Sequence, residues 1–277
     1  MSSSRSHAGV LPGFGLSLGI TLTWLSLIVL LPLAALVLLA AEQPFERTLA
    51  ILTDARTLAA YRLSLGGALV AALVNTVAGL LVAWVLVRYE FPGRKLVDGL
   101  IDLPFALPTA VAGIALSAVY AKNGWVGQWL EPLGVRAVYN TTGVVLAMIL
   151  VSLPFAVRTV QPLIEELEPE LEEAAACLGA TRLQTLRRVV LPVLLPGVLT
   201  AFALCLAKSA GEYGSIIFVS SNLPGRTEIA PLLIMNRLEE FNYSAAAVVA
   251  IGMLLIAFVA LLAINLLQAW TRRSQEA

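Results

Sequence analysis

Six long stretches almost free of charge restrict what this chain can fold into more than any other feature. They cover residues 10–41, 63–87, 103–121, 137–157, 189–219 and 241–271. About 20 mostly apolar residues are needed for a helix to cross a hydrocarbon core, and each stretch is of that order or longer. Apolar residues make up 59% of the chain and charged residues 13%, against about 45–50% and about 25% in soluble domains. The expected fold is therefore all-α: a polytopic membrane protein with six transmembrane helices and both termini on one side. The first stretch is too long and too apolar for a cleaved signal peptide. Of the last, residues 244–268 are expected to be embedded.

Orientation follows from Lys and Arg in the short loops. With cytoplasmic termini, the inside flanks hold Arg5, Arg88, Arg94, Lys95, Arg158, Arg182, Arg187, Arg188, Arg272 and Arg273, ten in all. The outside flanks hold Arg47, Arg56, Arg62, Lys122, Arg136, Arg226 and Arg237, seven in all. The bias of ten against seven puts the segment between the fourth and fifth spans in the cytoplasm.

That segment is the most charged part of the chain. Pro169 suits the first position of a helix, where its missing N–H is no loss. Glu170, Glu172 and Glu173 follow in the first turn, where the helix dipole favours carboxylates. Gly179 supplies a left-handed stop. Thr181 with Gln184 forms a capping box, so a second short helix is expected at once. Val189-Val190-Leu191-Pro192 then returns the chain to apolar sequence. A helix–glycine–helix hairpin between membrane spans is a docking element for something outside the membrane; the plainer alternative is an amphipathic surface helix with a glycine stop.

Two further constellations stand inside spans. In Asp102-Leu103-Pro104-Phe105-Ala106-Leu107-Pro108-Thr109-Ala110-Val111-Ala112-Gly113, two prolines four apart free backbone carbonyls. Broken backbone at membrane depth is tolerated where it is buried or lines a cavity. Pathway lining and a packing kink are both open. In Ala207-Lys208-Ser209-Ala210-Gly211-Glu212-Tyr213-Gly214, Lys208 and Glu212 lie one helical turn apart and can pair. Ionisable residues within a span face a cavity or the bundle interior, so the pair is either a gate of an anion path or a structural tie. The candidate path residues are Pro104, Pro108, Thr109, Lys208, Ser209, Glu212 and Tyr213.

Elsewhere, residues 42–62 fit an amphipathic helix on the outer surface through Leu49, Leu52 and Leu58, as a lid or a partner site. Trp125 and Trp129, with Gly124 and Gly127, fit an interfacial turn. Tyr89-Glu90-Phe91-Pro92-Gly93-Arg94 is a tight cytoplasmic turn. The formal net charge is zero, so nothing suggests nucleic acid. His7, Cys177 and Cys205 build neither a metal site nor a disulfide framework. No catalytic set and no Walker-type glycine loop is present, so any ATP is bound by another subunit and no cofactor is expected here.

The hairpin carries a family resemblance. Glu173-Ala174-Ala175, then Gly179, then Val189-Val190-Leu191-Pro192 resemble the EAA loop of binding-protein-dependent ABC importer permeases, whose pattern is Glu-Ala-Ala, three residues, Gly, nine residues, Ile-x-Leu-Pro. Val189 is the one departure. The resemblance implies a type I (MetI-like) permease fold. It also implies a coupling loop at residues 161–192, seated in a groove of the ATP-binding subunit. The coupling residues it implies are Glu173, Ala174, Ala175, Gly179, Arg182, Leu191 and Pro192. The Leu103–Gly113 and Gly211–Gly214 stretches look like the sulfate/thiosulfate and molybdate branch. Leu11-Pro12-Gly13-Phe14, Arg88–Arg94, Val157–Pro162 and Glu172–Arg182 look like its sulfate subunits in particular. Tyr213 departs, where phenylalanine is more usual. The resemblance runs from about residue 11 to 268. It implies a bacterial inner-membrane complex with a paralogous W-type permease subunit, an ATP-binding subunit dimer and a periplasmic sulfate/thiosulfate-binding protein.

The expected organisation is residues 1–61 as tail, first span and periplasmic loop, 62–269 as the permease domain, and 270–277 as a cytoplasmic tail. Molybdate or tungstate import is the alternative substrate reading. An ion-coupled secondary transporter would need intramembrane carboxylates; Glu212 is the one mid-span candidate, and the hairpin would have no purpose there.

Overall fold

The computed structural model describes residues 14–276, with side chains to residue 268. Arg5, His7 and Leu11-Pro12-Gly13 lie outside the described residues, as do the side chains of Arg272 and Arg273. Ten principal helices account for most of the described chain, which holds no strand. They are α1 (Phe14–Ala41), α2 (Phe45–Thr53), α3 (Ala55–Arg88), α4 (Arg94–Ala106) and α5 (Thr109–Tyr120). They continue as α6 (Thr141–Glu165), α7 (Pro169–Cys177), α8 (Arg182–Ala210), α9 (Ala230–Glu239) and α10 (Tyr243–Glu276). Five of these, α1, α3, α6, α8 and α10, are long and apolar enough to cross a membrane, and α4 with α5 makes a sixth if the bent pair counts as one span.

The third apolar run is not a straight crossing. Its helix starts earlier than expected, at Arg94, because Gly93 adopts φ +88° and turns the chain into α4. Pro104 is carried inside α4, and the break falls at Leu107–Pro108. A proline disfavours helical backbone in the residue before it, and Leu107 is accordingly extended at φ −86°, ψ 137°. The two helices meet at 115°.

The fifth run also differs from expectation. It does not continue to residue 219: α8 ends at Ala210, Gly211 and Glu212 form a turn, and only one helical turn, Ile216–Val219, follows. Glycine is about 1 kcal/mol worse than alanine in a helix, and two glycines within four residues leave little to sustain it. At its other end α8 starts at Arg182, so the second arm of the hairpin is not a separate short helix. It is the first turn of the span. One π turn, Leu186–Val190, interrupts it before Pro192, as Ser26–Leu30 interrupts α1 before Pro32. A proline ring clashes with the carbonyl four residues back. The wider turn, with Leu191 N–H donating to Leu186 O, accommodates it. The fourth run likewise extends, to Glu165, bringing Arg158 and Gln161 onto α6.

Helices α3, α6 and α8 form the centre. Lipid offers no hydrophobic drive between helices, so close packing and polar bonds must hold them. Ala68, Ala71 and Ala72 of α3 are fully buried in one cluster with Ala147 and Met148 of α6. Asn75 donates to Ser152 Oγ at 2.7 Å and to Ile149 O at 2.9 Å, while Ser209 donates to Ser152 Oγ at 2.9 Å. This buried amide–hydroxyl chain joins all three helices. Helix α1 packs only its last turns, through Leu36, Leu39 and Ala40, on Ala247 and Val248 of α10. An amphipathic helix does form here as α2, with Ile51 and Leu52 packed inward and Leu49 exposed. Leu58 belongs to α3 instead, because Asp54 caps a new helix by accepting from the N–H groups of Arg56 and Thr57. At the other end of α5, Trp125 and Trp129 are exposed around Gly124 and Gly127, which sit too close to the backbone of residues 118–121 to bear a Cβ.

Candidate functional site: a docking hairpin and a helix-break joint

The hairpin consists of α7, a turn at Leu178–Ala180, and the start of α8. Pro169 opens α7, with Glu170 and Glu172 in its first turn. Gly179 has φ +80°, with nothing within 4 Å of where a Cβ would stand; the constraint there is backbone conformation and not space. Thr181 accepts from Gln184 N–H, and the Gln184 side chain accepts from Thr181 N–H at 2.8 Å, which completes the capping box. Among the EAA-type residues, Glu173, Ala174, Gly179 and Arg182 are exposed, Ala175 is buried, and Leu191 and Pro192 are half-buried where α8 enters the apolar layer. Leu178 at the tip is 89% exposed and Leu183 is 59% exposed. Large exposed leucines flanked by glutamates and arginines make a surface suited to a protein partner.

The hairpin is tied to the bundle through a contact that single-residue patterns do not reveal. Arg88, the last residue of α3, donates to Glu172 at 2.7 Å and stacks over Trp84 with 5.3 Å to the ring centroid. The second arm is α8 itself, so the hairpin and the far end of α8 belong to one helix.

At that far end the two intramembrane constellations meet. A Cβ on Gly113 would collide with the backbone of Ser215, and one on Gly214 would collide with the Thr109 hydroxyl. Ser117 Oγ adds a bond to Phe218 O at 2.7 Å. The turn after α8 is thus seated against the start of α5, just beyond the Leu107–Pro108 break. Lys208 Nζ donates to Glu212 Oε2 at 2.9 Å. The other carboxylate oxygen accepts from Ser215 N–H at 3.1 Å and from Ser215 Oγ at 3.0 Å. Glu212 lies outside the helix and its side chain is 2% exposed, while that of Lys208 is 33% exposed. Both oxygens of Glu212 are occupied, and its bonds fix the turn. Pro104, Thr109 and Tyr213 are half-buried, Pro108 is exposed, and Ser209 is buried in the amide–hydroxyl chain.

Three further polar groupings escaped the sequence reading. Arg158 holds Asp102 at 2.8 and 2.7 Å and Asp98 at 2.7 Å, clamping α4 to α6 beside the bend. Arg56 forms a two-pronged pair with Glu228 at 2.7 and 2.6 Å, and Asn236 donates to the same carboxylate at 2.7 Å. Asn75 is the third. A lone amide in an apolar run is a visible signal; the two arginine pairs join residues 56 to 172 positions apart and leave no local pattern. Among the described residues, no group of three or more His, Cys, Asp or Glu could hold a metal ion.

Comparison with known proteins matches this geometry to a family. Residues 75–274 match the model of the binding-protein-dependent transport system inner membrane component. The sulfate transport system permease protein CysT of Salmonella typhimurium is 48% identical over 264 residues, covering 95% of both chains. The protein of the same name from Escherichia coli gives the same values, and that from Synechocystis is 48% identical over 92% of this chain and 89% of its own. The fold is that of a solved bacterial ABC transporter for import of alginate, with TM-score 0.76, 20% identity, and coverage of 94% of this chain and 96% of that one. The MetNI methionine ABC transporter aligns with TM-score 0.58 and 18% identity over 76% of this chain and 94% of that one. The chain belongs to the family of binding-protein-dependent transport system inner membrane components.

Proposed function

We propose that this chain is the membrane permease subunit of an ATP-driven sulfate/thiosulfate importer, with its hairpin docked on a cytoplasmic ATP-binding subunit. The observation that carries the substrate is near-half identity, over almost the full length of both chains, to relatives named as sulfate permeases. The observation that supports the coupling is that the hairpin's second arm is the start of α8. From Arg182 to Lys208 one helix, continuous through its π turn, rises about 40 Å, so a push on the hairpin reaches the Lys208–Glu212 turn and the helix break seated on it. Alternating access then needs only that the ATP-binding subunits favour one hairpin position over another.

In this reading the chain itself carries out no bond chemistry and needs no cofactor, ATP being bound by its partners. Those partners are a dimer of ATP-binding subunits, a paralogous W-type permease subunit and a periplasmic sulfate/thiosulfate-binding protein. Both termini are cytoplasmic in the bacterial inner membrane. Residues Glu173, Ala174, Ala175, Gly179, Arg182, Leu191 and Pro192 serve coupling; the joint where Thr109 meets the turn of Glu212 and Tyr213, with Pro104, Pro108 and Lys208 around it, borders the path, and Ser209 supports it from the buried Asn75–Ser152 chain. The test is uptake of radiolabelled sulfate by cells lacking their own permease and expressing the complex, in competition with thiosulfate and molybdate. Competition by thiosulfate is expected. Competition by molybdate in place of thiosulfate would move the chain to the molybdate/tungstate class.

A further inference from the structure

A cleft of about 790 Å³ opens between the last turns of α3, the hairpin arm α7 and the first turns of α8. Its floor is apolar, built from Leu80 and Leu81 on one side and Leu191 and Leu194 on the other. Its rim holds Arg88, Glu172 and Arg182, so two guanidiniums face one carboxylate and one positive charge is left over. Arg88 gives one bond to Glu172, and its side chain remains 24% exposed. Arg182 is exposed and takes part in no ion pair among the described residues. It also stands at the N-terminus of α8, where the helix dipole disfavours cations unless an anion is near. Trp84 and Tyr89 border the same cleft, a pairing of amphipathic rings typical of headgroup level.

The cleft runs along the membrane depth as well. From Leu80 to Arg88 the helix rises about 12 Å, most of the roughly 15 Å of hydrocarbon in one leaflet. Leu81 is 62% exposed, so the apolar floor continues onto the outer face of α3. An occupant must carry an anion at one end and hydrocarbon at the other. A free inorganic anion would leave the floor unfilled.

We propose that this cleft binds an anionic phospholipid of the leaflet on the hairpin side, its phosphate between Arg88 and Arg182 and an acyl chain along Leu80, Leu81, Leu191 and Leu194. Cationic pockets between spanning helices on the cytoplasmic side favour such headgroups. Bound there, the lipid braces the hairpin against α3 and makes its position sensitive to membrane composition. The site does not depend on which substrate the importer carries.

The test uses the full chain with Trp84 as sole tryptophan, the other four replaced by phenylalanine, in phosphatidylcholine vesicles containing dibrominated phosphatidylglycerol or dibrominated phosphatidylcholine. Bromine quenches tryptophan on contact. Phosphatidylglycerol is expected to reach half-maximal quenching at a mole fraction about fivefold lower, the effect of one net positive charge near the surface. The Arg88→Gln/Arg182→Gln variant should show equal curves and the Arg88→Lys/Arg182→Lys variant should keep the preference; should the glutamine variant misfold, the lysine variant and the unmodified arginines still decide. Millimolar sulfate or phosphate at constant ionic strength should leave the curves unchanged. Equal quenching by both lipids with Arg88 and Arg182 intact would overturn the proposal. So would quenching by neither, which means that protein covers the cleft, or loss of the preference on adding inorganic anion, which means a free-anion site.

Discussion

The Lys208–Glu212 pair separates a structural tie from a charge that serves the path, because its two members are buried so differently. Glu212 is enclosed and accepts three bonds, one from Lys208 and two from Ser215. Lys208 keeps a third of its side chain in contact with solvent or a cavity. Replacing Lys208 with methionine leaves a buried carboxylate with two neutral donors, and breaking a buried pair costs about 3–5 kcal/mol. The two remaining bonds from Ser215 put this case at the low end, about 3 kcal/mol. Glu212→Gln is nearly isosteric and keeps an oxygen for Ser215, so the loss is that of charge assistance, about 1–2 kcal/mol. The double neutral variant has no stranded charge. It should therefore lie well below the sum of the singles, with a coupling of about 2 kcal/mol. Yield of assembled complex and its thermal midpoint in detergent report the cycle, and sulfate uptake in vesicles reports the function. We expect the double variant to recover assembly but not uptake, and Lys208→Arg to keep much of the uptake. Additive single effects would refute the pairing. Recovery of uptake together with assembly would remove Lys208 from the path.

Gly179→Val should abolish uptake and co-purification of the ATP-binding subunit without preventing insertion, since a β-branched residue at φ +80° costs about 1–3 kcal/mol of strain; normal uptake with normal co-purification would sink it. The exposed Cys177, or a cysteine replacing Arg94, should react with impermeant thiol reagents only from the cytoplasmic face, and a cysteine replacing Gly225 only from outside; the opposite sidedness reverses the topology. Arg56→Met should lower the stability of the assembled complex by about 3 kcal/mol because the fully buried Glu228 keeps only Asn236, whereas Glu228→Gln should be milder; an unchanged thermal midpoint in Arg56→Met contradicts the buried pair.

Much of this protein is local, and so was legible in residue order. The apolar runs, the Pro-Gly turn at residues 92–93, the left-handed Gly179 and the Thr181–Gln184 capping box each depend on atoms a few residues apart. Intrinsic propensity and hydrogen-bond chemistry decide such features before any packing occurs. Lys208 and Glu212 pair for the same reason, at four residues' separation. Where each helix stops and what it then touches are not local. The Gly211–Glu212 turn replaces continued helix because Glu212 gains Ser215 as a partner and Gly113 admits that turn against α5. Leu-Pro sequence announces a disturbance, but only the fold resolves it as a π turn at Pro192 and as a 115° break at Pro108. The ties Arg158–Asp98/Asp102, Arg56–Glu228 and Arg88–Glu172 join residues 56 to 172 apart, and a charge on a span flank has many candidate partners until packing selects one. Sequence determined the helices and the hairpin; tertiary structure decided that hairpin and joint share one helix, because continuity of α8 through its π turn depends on packing that no local pattern encodes.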